Sequence, residues 1–353
     1  LTTLRHQIGQ MLIMGFSGTS IDEHSPIANW LSTDGLGGVL LFDYDLINKR
    51  QGKNLVSQAQ VKQLTQQLNH YAKKCPYNKD IPLFIALDYE GGAVDRLRHI
   101  DGCMATQKPS ELAKLSEEAY QVEIEKMAQT VKSLGFNLNF APVVDLNLTE
   151  EKGIIGRLGR SFSAEPTQVA RLAKKFVEIF AEQGLTCCFK HFPGHGSATG
   201  DTHHGFVDVT ETFKPSELEP YSLLLNRNTP PVMIMTAHVI NRELDKSGLP
   251  ATLSHSILTG LLRNKLGFNG VIISDDLQMQ AISDHYALDD ALQLTINAGA
   301  DMLIFGNQLG QATVPELIGR IENLVHKHAI TRGRIEQAYE RIINLKQTHM
   351  ALV

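Results

Sequence analysis

Residues 185–196 read Leu185-Thr186-Cys187-Cys188-Phe189-Lys190-His191-Phe192-Pro193-Gly194-His195-Gly196. The run 185–189 is uncharged and does not alternate cleanly, as a strand covered on both faces of a parallel sheet does not. Lys190 and His191 fall where that strand ends, the place where barrels and open α/β sheets carry working residues. Pro193, Gly194, Gly196 and Gly200 then shape a loop by supplying backbone turns that other residues resist. Asp201 and His203 follow with one residue between them, a spacing that lets a carboxylate orient an imidazole, fix its tautomer and raise its basicity. Any one of these histidines taken alone is equally well an incidental loop residue.

The same pattern recurs outward from this stretch. Apolar runs at 10–16, 38–42, 83–88, 138–145, 185–190, 232–238, 271–275 and 302–306 are each followed by a Gly, Asp or polar loop and then a helical segment. Amphipathic helices are expected over 61–73, 115–134, 167–183, 215–226, 257–265 and 288–298, with two more within 314–349. Eight strand-helix units predict an α/β chain closed into a (β/α)8 barrel, with an open doubly wound sheet as the alternative. With no low-complexity linker or shift in composition, residues 1–353 read as a single barrel domain, 307–353 forming outer C-terminal helices.

Composition narrows the functions. The 353 residues are 42% hydrophobic and 20% charged with a net charge of -5, which gives no argument for nucleic acid or an anionic membrane and favours a neutral or small polar substrate. No apolar run approaches the roughly 18 residues that span a bilayer. The chain begins at Leu1, so a processed leader and an exported location stay open. Cys187 and Cys188 read as buried thiols, while Cys75 and Cys103 can pair only if the fold brings them together.

Polar residues gather at the predicted strand ends. Asp88-Tyr89-Glu90-Gly91-Gly92-Ala93-Val94-Asp95-Arg96 is a tight turn that can present Asp88 and Arg96 to one pocket. The run 139–145 ends at Asp145, and a loop then reaches Arg160-Ser161-Phe162. Thr236-Ala237-His238 and Ser274-Asp275-Asp276 close two further strands. In a barrel these groups meet at one mouth, so His238 joins Asp88, Arg96, Arg160, Lys190 and His191 as a candidate substrate-binding residue. Of the two adjacent acids Asp275 is expected in the pocket, because alternation turns Asp276 away.

These strings, above all Lys190-His191-Phe192-Pro193-Gly194-His195-Gly196, resemble glycoside hydrolase family 3 in its β-N-acetylhexosaminidase branch, from about residue 10 to 306. The resemblance implies a retaining glycosidase with Asp275 as nucleophile and His203, paired with Asp201, as acid/base. It also implies that Asp88, Arg96, Arg160, Lys190 and His191 hold a terminal N-acetylglucosamine, with no cofactor or metal. Thr202 stands where relatives commonly carry Ser, keeping the hydroxyl, and Ala93 replaces a larger residue. A cytoplasmic monomer acting on a peptidoglycan fragment or a chitooligosaccharide is the implied setting. The rivals are a phosphorylase or β-glucosidase of the same family, a non-catalytic sugar-binding barrel, and a metal site built from His191, His195, His203, His204 and Asp201.

Overall fold

The computed structural model describes residues 2–199, 207–226 and 228–350. Eight parallel strands line a central ring: β1 (Leu12–Met14), β2 (Gly38–Leu40), β3 (Phe84–Leu87), β4 (Leu138–Asn139), β5 (Cys188–Phe192), β6 (Met233–Thr236), β7 (Ile272–Ile273) and β8 (Leu303–Phe305). One arc runs β8-β1-β2-β3-β4 and the other β7-β6-β5. Parallel bridges at Leu138 with Thr186, Val143 with Lys190 and Ile273 with Met302 join the arcs at both seams. The Val144 N–H donates to the Lys190 carbonyl and the Ser274 N–H to the Met302 carbonyl, each at 2.9 Å. The ring is thus a (β/α)8 barrel rather than an open sheet.

Helices Pro26–Ser32, Gln58–Ala72, Glu117–Ser133, Pro166–Glu182, Glu219–Leu224, Ser256–Lys265, Leu288–Ala298 and Val314–His326 follow the strands in turn, and Arg332–Met350 adds an outer helix. Their sequences explain them. Ser57 and Gln60 form a reciprocal capping box for Gln58–Ala72, whose Val61, Leu64 and Leu68 are spaced to face the core. In Pro166–Glu182 the rings of Phe176 and Phe180, one turn apart, stack with centroids 4.5 Å apart.

Some elements differ from their sequence reading. Gln10 belongs to an opening helix, Leu4–Gln10, capped by the Thr3 hydroxyl accepting from the His6 N–H, so the first strand starts at Leu12. The run 138–145 pairs regularly only over Leu138–Asn139, because Pro142 offers no N–H to the ladder. Residues 215–226 form a short 3-10 turn, Pro215–Leu218, and then the helix Glu219–Leu224, with Pro220 in its first turn where the missing N–H costs nothing. All four cysteines are free, Cys75 and Cys103 included. Among the described residues no helix is long and apolar enough to cross a membrane.

At the base of the barrel Lys346 is buried, donating to the Gln10 Oε1 and the Gly37 carbonyl, both at 2.8 Å. Burial pushes its pKa down to about 7. From about pH 7 to about 10.4 the unfolded chain therefore holds a proton that the folded chain does not, and stability rises with pH across that window. Urea midpoints measured at pH 7 and 9 should show this rise in the wild type and a flatter response in Lys346→Met.

Candidate active site

The C-terminal ends of the strands converge on a charged cluster centred on Glu90, directly after β3. The hairpin Tyr89–Gly91 with Val94–Asp95 turns on Gly91 (φ 110°) and Gly92 (φ 63°), backbone that residues with a Cβ resist. A Cβ at Gly91 would stand 2.3 Å from the Gln107 carbonyl oxygen. The Asn139 amide, at the end of β4, exchanges two 3.0 Å hydrogen bonds with the Tyr89 backbone and sets where the hairpin leaves the barrel. The turn returns Arg96 to Asp88, Nη2 to Oδ2 at 3.7 Å, with its guanidinium over the Phe42 ring at 5.8 Å.

Glu90 is buried and accepts a two-pronged pair of bonds from Arg160 Nε and Nη2, each 2.8 Å, and an ion pair from Lys190 Nζ at 2.7 Å. Lys190 Nζ also lies 3.5 Å from Asp88 Oδ1. Burial alone would raise the Glu90 pKa, but Arg160 and Lys190 outweigh it and hold the carboxyl far below the usual carboxylate range. The same pairing keeps Lys190 protonated against its own burial.

The β5–β6 register slips by one residue between Lys190 and Phe192, so His191 has no partner across the ladder. Its Nδ1 lies 2.8 Å from Asp145 Oδ2, and its N–H and that of His195 donate to the Asp145 carboxylate at 3.1 and 2.9 Å. Asp145 thereby fixes the ring of His191 and the start of the glycine loop together. His195 is pushed down to about 4 by burial and by the neighbouring His191, 5.9 Å away between ring centroids.

Beyond β7 the two acids part company. The Asp276 carboxylate accepts from the N–H groups of Gln278 at 2.9 Å and Gly306 at 3.1 Å, turned into the wall. Burial and the charge of Asp275 raise it to about 7. Burial also works against the charge on Asp275, yet the imidazoles of His238 and His191, the Asp276 N–H and Lys190 together hold its pKa below the usual range. Two neighbouring carboxyls with pKa values driven apart are a pattern of acid/base assignment in enzymes. His238, expected to contact substrate, has both nitrogens taken by protein: Nδ1 lies 2.8 Å from Thr252 Oγ1 and Nε2 2.8 Å from the Asp276 carbonyl. Asp201 and His203 lie outside the described residues.

The family profile described as glycosyl hydrolase family 3 N terminal domain matches residues 3–345. The chain belongs to glycosyl hydrolase family 3. It is 31% identical over 340 residues to beta-hexosaminidase A of Pseudoalteromonas piscicida, covering 91% of this chain and 54% of that protein. It is 30% identical over 332 residues to a beta-hexosaminidase of Idiomarina loihiensis, covering 89% of this chain and 92% of that one. A solved family 3 β-N-acetylglucosaminidase from Paenibacillus sp. str. FPU-7 superposes with a TM-score of 0.86 at 29% identity, covering 100% of this chain and 63% of that one. The chain thus spans about half the length of the Pseudoalteromonas relative and nearly all of the Idiomarina one.

In this family 3 barrel the structure brings Asp88, Arg96, Arg160 and Lys190 into one ion cluster, with His191 and Asp275 within electrostatic reach of Lys190 and of each other. Sequence reasoning passed over Glu90 and Asp145, which organise those residues. The signal was present in the acid beside Asp88 and in the last residue of the 138–145 run. Among the described residues no group of three His, Cys, Asp or Glu is arranged to hold a metal ion. Glu90→Gln leaves two buried cations facing a neutral amide, and breaking such a pair costs about 3–5 kcal/mol. Chemical denaturation should register that loss, whereas a change under about 1 kcal/mol would mean that Glu90 is not the hub.

Proposed function

We propose that this chain is an exo-acting, retaining β-N-acetylglucosaminidase that removes terminal β-linked N-acetylglucosamine from peptidoglycan fragments or chitooligosaccharides, working as a monomer without metal or cofactor. The observation that carries the reading is the place of Asp275 at the end of β7, within electrostatic reach of His238, His191 and Lys190, while Asp276 is turned into the wall. The names borne by the Pseudoalteromonas, Idiomarina and Paenibacillus proteins support the same substrate class.

In the first step the Asp275 carboxylate attacks the anomeric carbon and the glycosidic bond breaks. His203, oriented by Asp201, gives its proton to the departing oxygen, leaving a covalent glycosyl-enzyme. In the second step neutral His203 takes a proton from water as that water attacks the same carbon, and Asp275 is released. The sugar hydroxyls are held by Asp88, Arg96, Arg160, Lys190 and His191. Arg160 and Lys190 are already aligned by Glu90, so little side-chain ordering remains on binding. Among the described residues the buried Arg96 Nε has no acceptor, a donor suited to a sugar oxygen.

The test is a comparison of nitrophenyl N-acetyl-β-glucosaminide with nitrophenyl β-glucoside, with and without phosphate. The N-acetylglucosaminide should be preferred by on the order of 10²-fold in kcat/KM, with the free sugar as product in both buffers. Equal rates on the two sugars would remove the hexosaminidase reading. Formation of a sugar 1-phosphate would make the enzyme a phosphorylase.

A further inference from the structure

The peptide that carries Asp275 is gripped from two sides by side chains with no part in the chemistry above. The Asp275 N–H donates to Thr236 Oγ1 at 3.4 Å, Thr236 Oγ1 lies 2.7 Å from Thr252 Oγ1, and Thr252 Oγ1 lies 2.8 Å from His238 Nδ1. The ring then closes the loop, with Nε2 at 2.8 Å from the carbonyl oxygen of Asp276. Thr236 and His238 stand at the end of β6, and Thr252 comes from the short 3-10 turn Ala251–Leu253. Thr236 and Thr252 are fully buried and His238 is nearly so.

We propose that His238 is a positioning residue for the nucleophile, holding the Asp275–Asp276 peptide through a hydrogen-bond ring that passes through Thr252 and Thr236. A carbonyl oxygen only accepts, so His238 Nε2 carries a hydrogen. The Thr252 hydroxyl lies between His238 Nδ1 at 2.8 Å and the Ala237 carbonyl, to which it donates at 3.0 Å, and burial lowers the pKa of His238. Thr236 then donates to Thr252 and accepts from the Asp275 N–H. Both backbone groups flanking the nucleophile are satisfied by side chains of a neighbouring strand and its loop.

This arrangement matters because a carboxylate attacking an anomeric carbon is sensitive to displacements of about 1 Å, which can slow a reaction by about 10²-fold. β7 is short, only Ile272–Ile273, and backbone bonds to β8 are made on either side by the Ser274 N–H to the Met302 carbonyl and the Leu277 N–H to the Ile304 carbonyl, so that ladder skips Asp275 and Asp276. The His238 ring holds the peptide there. Its two nitrogens are consumed in doing so, which explains why a histidine at a strand end beside the mouth has nothing to offer a sugar.

The inference rests on Asp275 as nucleophile, and the test separates the two. A fluorinated N-acetylglucosaminide that traps the glycosyl-enzyme reports the attack step, and calorimetry with a competitive N-acetylglucosamine analogue reports binding. His238→Asn loses the contact to the Asp276 carbonyl and should slow trapping by on the order of 10²-fold with the analogue Kd changed less than about threefold. His238→Gln places an amide nitrogen where Nε2 stood and should recover at least about tenfold of that loss. Thr252→Val, nearly isosteric, opens the ring without touching His238 and should slow trapping by about tenfold, deciding the matter alone if the His238 variants fail to fold. Wild-type trapping rates in His238→Asn or Thr252→Val, a parallel loss of binding, or a Gln variant no better than Asn would each overturn the positioning role. Wild-type label found away from Asp275 would overturn the nucleophile assignment instead.

Discussion

Asp275→Ala is expected to lower kcat by on the order of 10⁴-fold or more while leaving the melting temperature and sugar affinity close to wild type. The side chain is half-buried at the mouth rather than packed in the core, and its carboxylate meets the Asp276 N–H at 2.8 Å, so truncation leaves no cavity in the barrel. A second consequence is electrostatic. Because the charge of Asp275 helps to hold Asp276 at about 7, removing it should move the Asp276 carboxyl back toward the ordinary range. Titration of that carboxyl by NMR in the variant checks the coupling independently of activity. Asp276→Asn should retain far more turnover than Asp275→Ala, since Asp276 is engaged with the Gln278 and Gly306 N–H groups.

His203→Ala is expected to divide substrates by leaving group. An activated nitrophenolate departs without a proton and should be cleaved nearly as fast as by wild type in the bond-breaking step, whereas a sugar leaving group should be slowed by on the order of 10²–10⁴-fold. Asp201→Ala should show the same pattern more weakly, because it orients the imidazole and does not carry the proton. Single-turnover rates on the two substrate types give the ratio. Equal slowing of both would assign His203 to binding, and the acid would then have to be sought at His204 or at a carboxylate.

The parts of the molecule that were readable from sequence are those whose signal is local. The unalternating run ending in Lys190-His191 marks a barrel strand because burial on both faces acts residue by residue, and the loop glycines mark its end for the same reason. Strand alternation favours Asp275 over Asp276 for the pocket, and the Asp276 carboxylate accepts from the Gln278 and Gly306 N–H groups. What the sequence hid were relations across distance. Glu90 gains its meaning from Arg160, 70 residues on, and Asp145 from His191, 46 residues on. His238 sits at a strand end like the other candidates, and only its contact to Thr252, 14 residues later, shows that the ring is already occupied. The opening helix Leu4–Gln10 was missed because its apolar residues run without a break into the strand at Leu12.

The proposed mechanism requires Asp275 to become bonded to the anomeric carbon of an N-acetylglucosamine. Incubating the enzyme with a fluorinated N-acetylglucosaminide, then digesting it and sequencing the labelled peptide by mass spectrometry, tests this directly. The expected result is one sugar per chain, attached to the side chain of Asp275. Label on Asp276 or on any other residue, or turnover of the compound with no covalent adduct at all, would contradict it.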